Sequence, residues 1–251
     1  MFQNLSDRRR SALLLAVLWA LLLVMAALRP LAIPDEGRYA EVGRWMLQSG
    51  DWLAPRLAGL PFFHKPPLLH WLQAASMAVF GENAWAAPLA PALHAGLMLL
   101  GVYLASRALA PALAPQASAE AFARRAAVMF GTSLAFLLGG QYVNHHMLVA
   151  AWIAPAIWLF AFALLHGERA HAGLARLGFV ACALGVLGKG LIGVVLPGGV
   201  IFFWLLLTGQ WRKMLHLPWL SGLLLFALVA VPWFWLAQQH YPGLLDYLFG
   251  T

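Results

Sequence analysis

The sequence predicts an all-α fold, a polytopic bundle of transmembrane helices. Of its 251 residues, 63% are hydrophobic and only 10% are charged, and the mean hydropathy is +0.77. A soluble domain of this length could not keep so much apolar surface away from water. The apolar residues fall into long runs, and a helix needs roughly 20 of them to cross a bilayer. We therefore expect about seven spans and two short amphipathic helices at the membrane surface.

The apolar runs place the predicted spans along one transmembrane domain, 1–251. They are expected near residues 12–30, 85–106, 124–142, 147–166, 173–188, 190–208 and 217–237. The first run is too long for a secretory signal and no small-residue cleavage site follows it, so we expect a retained helix. The fifth and sixth spans meet at Gly188-Lys189-Gly190, and these glycines predict a tight helical hairpin.

The outer loop 31–84 is the longest segment between spans, and we expect it to be structured. Residues 35–48 have a helix-forming composition and are followed by Gly50, and 67–80 favour a second short helix. Aromatic side chains occur in both segments, as is typical of the headgroup region. The two helices are therefore expected on the outer membrane surface, joined by a turn region at 50–65.

The charges indicate how the chain is oriented. A net charge of +7 and a pI near 10.2 also occur in proteins that bind nucleic acid. If the N-terminus is in the cytoplasm, however, the predicted cytoplasmic segments carry the whole excess of positive charge. This count includes Glu168 and Arg169. This distribution follows the positive-inside rule. We therefore expect membrane lipids as partners and no nucleic acid.

A cluster of charged residues follows the first span. Residues 34–41 read Pro-Asp-Glu-Gly-Arg-Tyr-Ala-Glu. On a helix, Asp35 and Tyr39 share a face, and so do Arg38 and Glu41. One interpretation is that Asp35 only caps a helix with a solvated surface. Two adjacent acids and a tyrosine so close to the end of a span favour a catalytic site instead.

Two lysines on the outer side are candidates for binding an anion. Lys65 is followed by two prolines, which hold the backbone extended. Lys189 lies between glycines at the predicted hairpin, and its surroundings lack the spacing of a nucleotide-binding loop. Either lysine could simply be solvated or snorkel to the interface. A lysine near the headgroup plane is nevertheless well suited to meet a phosphate.

The remaining polar residues exclude several chemistries. Two adjacent histidines, His145 and His146, cannot face the same way on a helix, so we predict no metal site and expect a polar tip beside the active face. The single cysteine, Cys182, excludes an intramolecular disulfide and is expected to be buried. The sequence has no nucleophile-elbow motif, and its spans are nearly free of ionisable residues, unlike those of channels or transporters.

In their order along the chain, these motifs resemble the bacterial aminoarabinose (lipid A) transferases of the protein mannosyltransferase-like superfamily of membrane glycosyltransferases. The similar segments are 34–41, 50–52, 65–68 and 188–193. The resemblance implies a GT-C fold in the bacterial inner (plasma) membrane, with the active site on the periplasmic face. It also implies a sugar donor carried on a polyprenyl phosphate.

The resemblance further implies roles for individual residues. Asp35 would be the catalytic carboxylate of a single inverting displacement. Lys65 and Lys189 would hold the donor phosphate and stabilise the leaving lipid phosphate. The remaining substrate-binding candidates, which would support that site, are Glu36, Arg38 and Tyr39. No cofactor is assigned with certainty, and a divalent cation is left open.

Two features depart from this family pattern. Relatives often carry an acid followed by Met after the third span, where this chain has His145-His146-Met147, so the identity of the acceptor is left open. Relatives are also longer, and this chain corresponds to their N-terminal half without the family's C-terminal part. We therefore expect a fragment, a truncated product or a protein that needs a partner subunit.

The sequence thus predicts a glycosyltransferase that moves a sugar from a polyprenyl-phosphate donor to a lipid A-like acceptor or to another glycan or protein acceptor. The alternative is a non-catalytic polyprenyl-phosphate-binding or flippase-like membrane protein that uses the same charged pocket. A third interpretation is a structural subunit with several spans.

Overall fold

The computed structural model describes residues 2–165 and 170–249, with side chains from residue 6 onward. Over these ranges the fold is all-α, as predicted, apart from one small hairpin in which β1 (Arg56–Leu57) pairs antiparallel with β2 (Leu60–Pro61). Glu168 and Arg169, which entered the charge count, lie outside the described residues, as does the last residue of the predicted span 147–166.

Eleven α-helices follow one another over the described ranges. They are α1 (Phe2–Leu28), α2 (Asp35–Ser49), α3 (Leu68–Phe80), α4 (Leu89–Leu113), α5 (Ala119–Gly131), α6 (Leu134–Gly139), α7 (His145–Leu165), α8 (Ala172–Lys189), α9 (Ile192–Leu207), α10 (Trp219–His240) and α11 (Leu244–Phe249). A 3-10 helix, Trp211–His216, precedes α10. Five of these helices, α1, α4, α7, α8 and α10, are long and apolar enough to cross a membrane.

The predicted span 124–142 is divided into α5 and α6 by two hydroxyl side chains. The Thr132 hydroxyl donates to the carbonyl of Val128 at 2.7 Å, and the Ser133 hydroxyl donates to that of Phe130 at 2.7 Å. Ser133 also accepts from the backbone N–H of Phe136, which starts a new helix. These local hydrogen bonds compete with the helical pattern, so one continuous helix does not form.

The broken pair of helices nevertheless runs alongside α1. At one end the Ser11 hydroxyl donates to the Glu120 carboxylate at 2.7 Å. At the other end the Arg29 guanidinium donates to the Gln141 side chain at 3.0 Å. Together, α5 and α6 therefore cover the length that one continuous span was expected to cover.

The predicted hairpin at Gly188-Lys189-Gly190 is confirmed, although α9 has only 16 residues. Gly190 adopts a φ of +82°, a conformation that glycine takes without strain. A Cβ atom on Gly193 would lie 2.2 Å from the carbonyl carbon of Gly185, so α8 and α9 touch through their backbones. The hairpin places Lys189 at the apex between two tightly packed helices.

The two short helices predicted in the loop 31–84 are present as α2 and α3, and they lie at one end of the bundle with the β-hairpin. The indole of Trp233 in α10 donates to the carbonyl of Leu53 at 3.0 Å, and the Arg56 guanidinium donates to the Tyr241 hydroxyl at 2.8 Å. We call this end, where α2 and α3 meet the start of α7 and the α8–α9 turn, the outer end.

Candidate active site

Glu36 is completely buried at the outer end. Arg29 donates to both of its carboxylate oxygens at 2.5 Å, and the backbone amides of Ala32 and Val143 donate at 2.6 Å. Burial alone would raise the pKa of Glu36, but these hydrogen bonds outweigh it and hold the pKa below 4.5. These hydrogen bonds join α2 to the segment after α6, and the substrate contact of Glu36 stays a prediction.

Asp35 has a different environment, although it is the next residue in the chain. Its side chain is 48% exposed and accepts one hydrogen bond, from Arg38 at 2.6 Å. The Arg38 guanidinium also lies over the ring of Tyr39, 5.4 Å from its centroid. Asp35, Arg38 and Tyr39 therefore form one group on the first turns of α2, with a carboxylate open to solvent.

Tyr39 connects this group to the start of α7. Its ring centroid lies 5.0 Å from that of His145 in an edge-to-face arrangement, and 6.2 Å from that of His70. His70 and His145 are both buried, and burial lowers the pKa of His70 to about 4. The His70 imidazole is thus neutral at physiological pH. The rings of Tyr39, His70 and His145 pack against one another.

The two predicted lysines lie near His145 and His146. The Lys189 ammonium lies 2.8 Å from Nδ1 of the exposed His146. Lys65 is near enough for its positive charge to act on Lys189, His145 and His146. The lysine of the outer loop and the lysine of the helical hairpin therefore lie within electrostatic range of each other.

Around the outer end, acidic side chains form their ion pairs with arginines. The pairs are Arg29–Glu36, Arg38–Asp35, Arg44–Glu41, Arg44–Glu82 and Arg56–Asp51. Among the described residues, neither Lys65 nor Lys189 forms an ion pair with a carboxylate. Two neighbouring positive charges without a counter-charge create a local site that attracts anions.

A metal centre is not assembled in the part of the chain that the structure describes. No group of three or more His, Cys, Asp or Glu side chains comes together there in a way that could hold a metal ion. The predicted site residues form three groups. These are Lys65 with Lys189, then Asp35, Arg38 and Tyr39 on the first turns of α2, and the buried Glu36.

The sequence matches the dolichyl-phosphate-mannose-protein mannosyltransferase family over residues 8–248. The chain belongs to this family. Two solved structures have the same fold, ArnT from Cupriavidus metallidurans bound to undecaprenyl phosphate and its apo state. The bound form superposes with a TM-score of 0.82 at 29% identity over 95% of this chain, and the apo form with 0.82 at 28% identity over 97%. As a member of this mannosyltransferase family, the chain is a multi-pass membrane protein with the GT-C fold.

Curated relatives agree with this assignment. The undecaprenyl phosphate-alpha-4-amino-4-deoxy-L-arabinose arabinosyl transferase of Pseudomonas savastanoi pv. phaseolicola is 31% identical over 97% of this chain. The protein of the same name from Pseudomonas paraeruginosa is 34% identical over 90% of it. The matches cover 44% and 40% of those proteins, and 43% and 44% of the two ArnT chains. This mannosyltransferase-family chain therefore spans less than half the length of these relatives.

Sequence reasoning missed two contacts in the site of this mannosyltransferase-family chain. Arg29, which was not among the predicted site residues, is the partner of the buried Glu36. His146, which was expected as part of a polar tip, also contacts Lys189 directly. Both contacts join residues from different helices or loops, and no local sequence pattern encodes them.

Proposed function

We propose that the chain forms the donor site of a membrane glycosyltransferase whose sugar is carried on a polyprenyl phosphate. The observation that carries the proposal is the pair Lys65 and Lys189 at the outer end, two ammonium groups within electrostatic range of each other that form no ion pair with any described carboxylate. Their charges would bind the donor phosphate and stabilise it as it leaves. The similarity to an ArnT bound to undecaprenyl phosphate supports the same class of lipid carrier.

Asp35 is the carboxylate that we assign to catalysis. Its exposure and its single hydrogen bond to Arg38 leave oxygen atoms available to a substrate, whereas the oxygens of Glu36 are fully used. Asp35 would accept the proton of the acceptor group as that group attacks the anomeric carbon, while the bond from that carbon to the phosphate oxygen breaks. A single displacement of this kind inverts the anomeric configuration. Arg38 and Tyr39 would hold Asp35 and the sugar in place.

The acceptor is a lipid A-like molecule, or another glycan or protein, on the periplasmic face of the bacterial inner membrane. The relatives are named undecaprenyl phosphate-alpha-4-amino-4-deoxy-L-arabinose arabinosyl transferases, which supports aminoarabinose as the transferred sugar. The charge distribution supports an N-terminus in the cytoplasm and an outer end in the periplasm.

Asp35→Asn tests the catalytic assignment. Membranes containing the wild-type chain are incubated with undecaprenyl-phosphate-linked labelled aminoarabinose. The donor is then separated, and the labelled sugar in lipid A, glycans and proteins is measured. We expect Asp35→Asn to reduce transfer by at least about 100-fold, because loss of a general base removes roughly that factor. Binding of undecaprenyl phosphate should persist. The matched control is Asp246→Asn, an exposed acid of α11, which should retain full transfer.

The outcome also separates the two classes of function. Lost transfer with intact binding supports catalysis by Asp35. Undiminished transfer by Asp35→Asn contradicts it. A wild-type chain that binds undecaprenyl phosphate and transfers no sugar supports the non-catalytic, flippase-like alternative.

A further inference from the structure

The contact between His146 and Lys189 has a definite direction. An ammonium group can only donate hydrogen bonds, so at 2.8 Å the Nδ1 atom of His146 must accept from Lys189. The imidazole is therefore neutral and carries its proton on Nε2. A charged imidazolium would have no lone pair to offer and would add a third positive charge beside Lys65 and Lys189.

The backbone holds both partners of this contact in place. The amide of His146 donates to the Asn144 side chain at 2.8 Å, which fixes the first turn of α7. One residue before Lys189, a Cβ atom on Gly188 would lie 2.6 Å from the Leu148 side chain. Such close packing of α7 on α8 sets the separation of His146 and Lys189.

We propose that His146 is a positioning residue that aims the Lys189 ammonium at the donor phosphate. A lysine side chain has many rotamers, and ordering it costs binding free energy unless another group has already fixed it. His146 fixes it with one neutral acceptor, which orients the ammonium without neutralising its charge as a carboxylate would. Two of its three N–H donors remain for the phosphate. This inference rests on the proposed donor site at Lys65 and Lys189.

The test is a double-mutant cycle on the binding of undecaprenyl phosphate. The whole chain is purified in detergent micelles, and the dissociation constant is measured for the wild type, His146→Leu, His146→Asn, Lys189→Ala and the double variant His146→Leu/Lys189→Ala. Leucine is similar in size to histidine but has no atom that can accept a hydrogen bond from Lys189. Asparagine places a side-chain oxygen near the position of the histidine Nδ1 atom. This oxygen can accept the same hydrogen bond, so His146→Asn should restore binding. Thermal unfolding without lipid checks that each variant is folded.

We expect His146→Leu to weaken binding about tenfold, the value of a hydrogen bond to a charged group, and His146→Asn to restore most of it. In the Lys189→Ala background, His146→Leu should cause no further loss, because His146 acts through Lys189. A merely structural role for His146 would instead weaken binding equally in both backgrounds and would not be rescued by Asn. That result would overturn the inference.

Two further outcomes distinguish this inference from the proposed function. A wild type that binds undecaprenyl phosphate while His146→Leu binds equally well overturns the role of His146 alone. A wild type that binds no undecaprenyl phosphate overturns the donor site and, with it, the positioning role.

Discussion

Asp35 and Glu36 are neighbours in the chain, yet their side chains have opposite environments. Successive residues of a helix point about 100° apart, so one of two adjacent acids can face the packed interior while the other faces solvent. The sequence predicted that an acid pair marks the site and favoured Asp35. It could not predict that Glu36 would be buried, because that depends on how α2 packs against Arg29 and Val143.

Glu36→Gln tests the structural role of the buried acid. We expect the free energy of unfolding to fall by about 3 kcal/mol, because the substitution leaves Arg29 without its buried counter-charge. Thermal or denaturant unfolding in detergent measures this loss. Asp246→Asn is the control on an exposed acid and should change stability little. An unfolding free energy equal to that of the wild type would contradict the assigned role.

The same acid predicts a pH dependence of stability. The pKa of Glu36 in the folded protein lies below 4.5, so its ionised form stabilises the fold above that pH. This contribution is lost as the pH falls through the pKa of the folded state. The unfolding midpoint should therefore drop less on acidification in Glu36→Gln than in the wild type. Equal acid sensitivity in the two proteins would show that Glu36 does not carry this effect.

At the scale of helices, apolar run length predicted most of the fold. The five longest apolar helices and the hairpin at Lys189 follow from composition and glycine placement alone. The division of 124–142 was not predicted, because Thr132 and Ser133 look like ordinary small residues within an apolar stretch. Their effect depends on which backbone carbonyl each hydroxyl reaches, and this is determined by the folded helices.

Gly193→Ala tests the hairpin that presents Lys189. The added Cβ atom would collide with the backbone of Gly185, which cannot move aside as a flexible side chain could. We expect a loss of about 1–3 kcal/mol in stability, the usual cost of overpacking, and weaker binding of undecaprenyl phosphate. Gly198→Ala in the same helix is the matched control, because nothing lies within 4 Å of its Cβ position. Equal stability of the two variants would contradict the close helix contact.

At the scale of the whole molecule, charge predicted an orientation that labelling can test. In a Cys182→Ala background, single cysteines are introduced as Asp246→Cys at the outer end and Arg212→Cys at the opposite end. A maleimide that cannot cross membranes should label Asp246→Cys in spheroplasts and should label Arg212→Cys only after permeabilisation. Labelling in the reverse order would place the outer end in the cytoplasm.

The whole-molecule account depends on Lys65 and Lys189 forming a site for a lipid-linked phosphate. The most direct measurement is the dissociation constant of undecaprenyl phosphate for Lys65→Ala/Lys189→Ala beside that of Lys213→Ala, a lysine of the opposite end. Two charge-assisted contacts of about tenfold each predict a loss of about 100-fold in the double variant. Lys213→Ala should bind like the wild type. Wild-type affinity in the double variant would contradict the account.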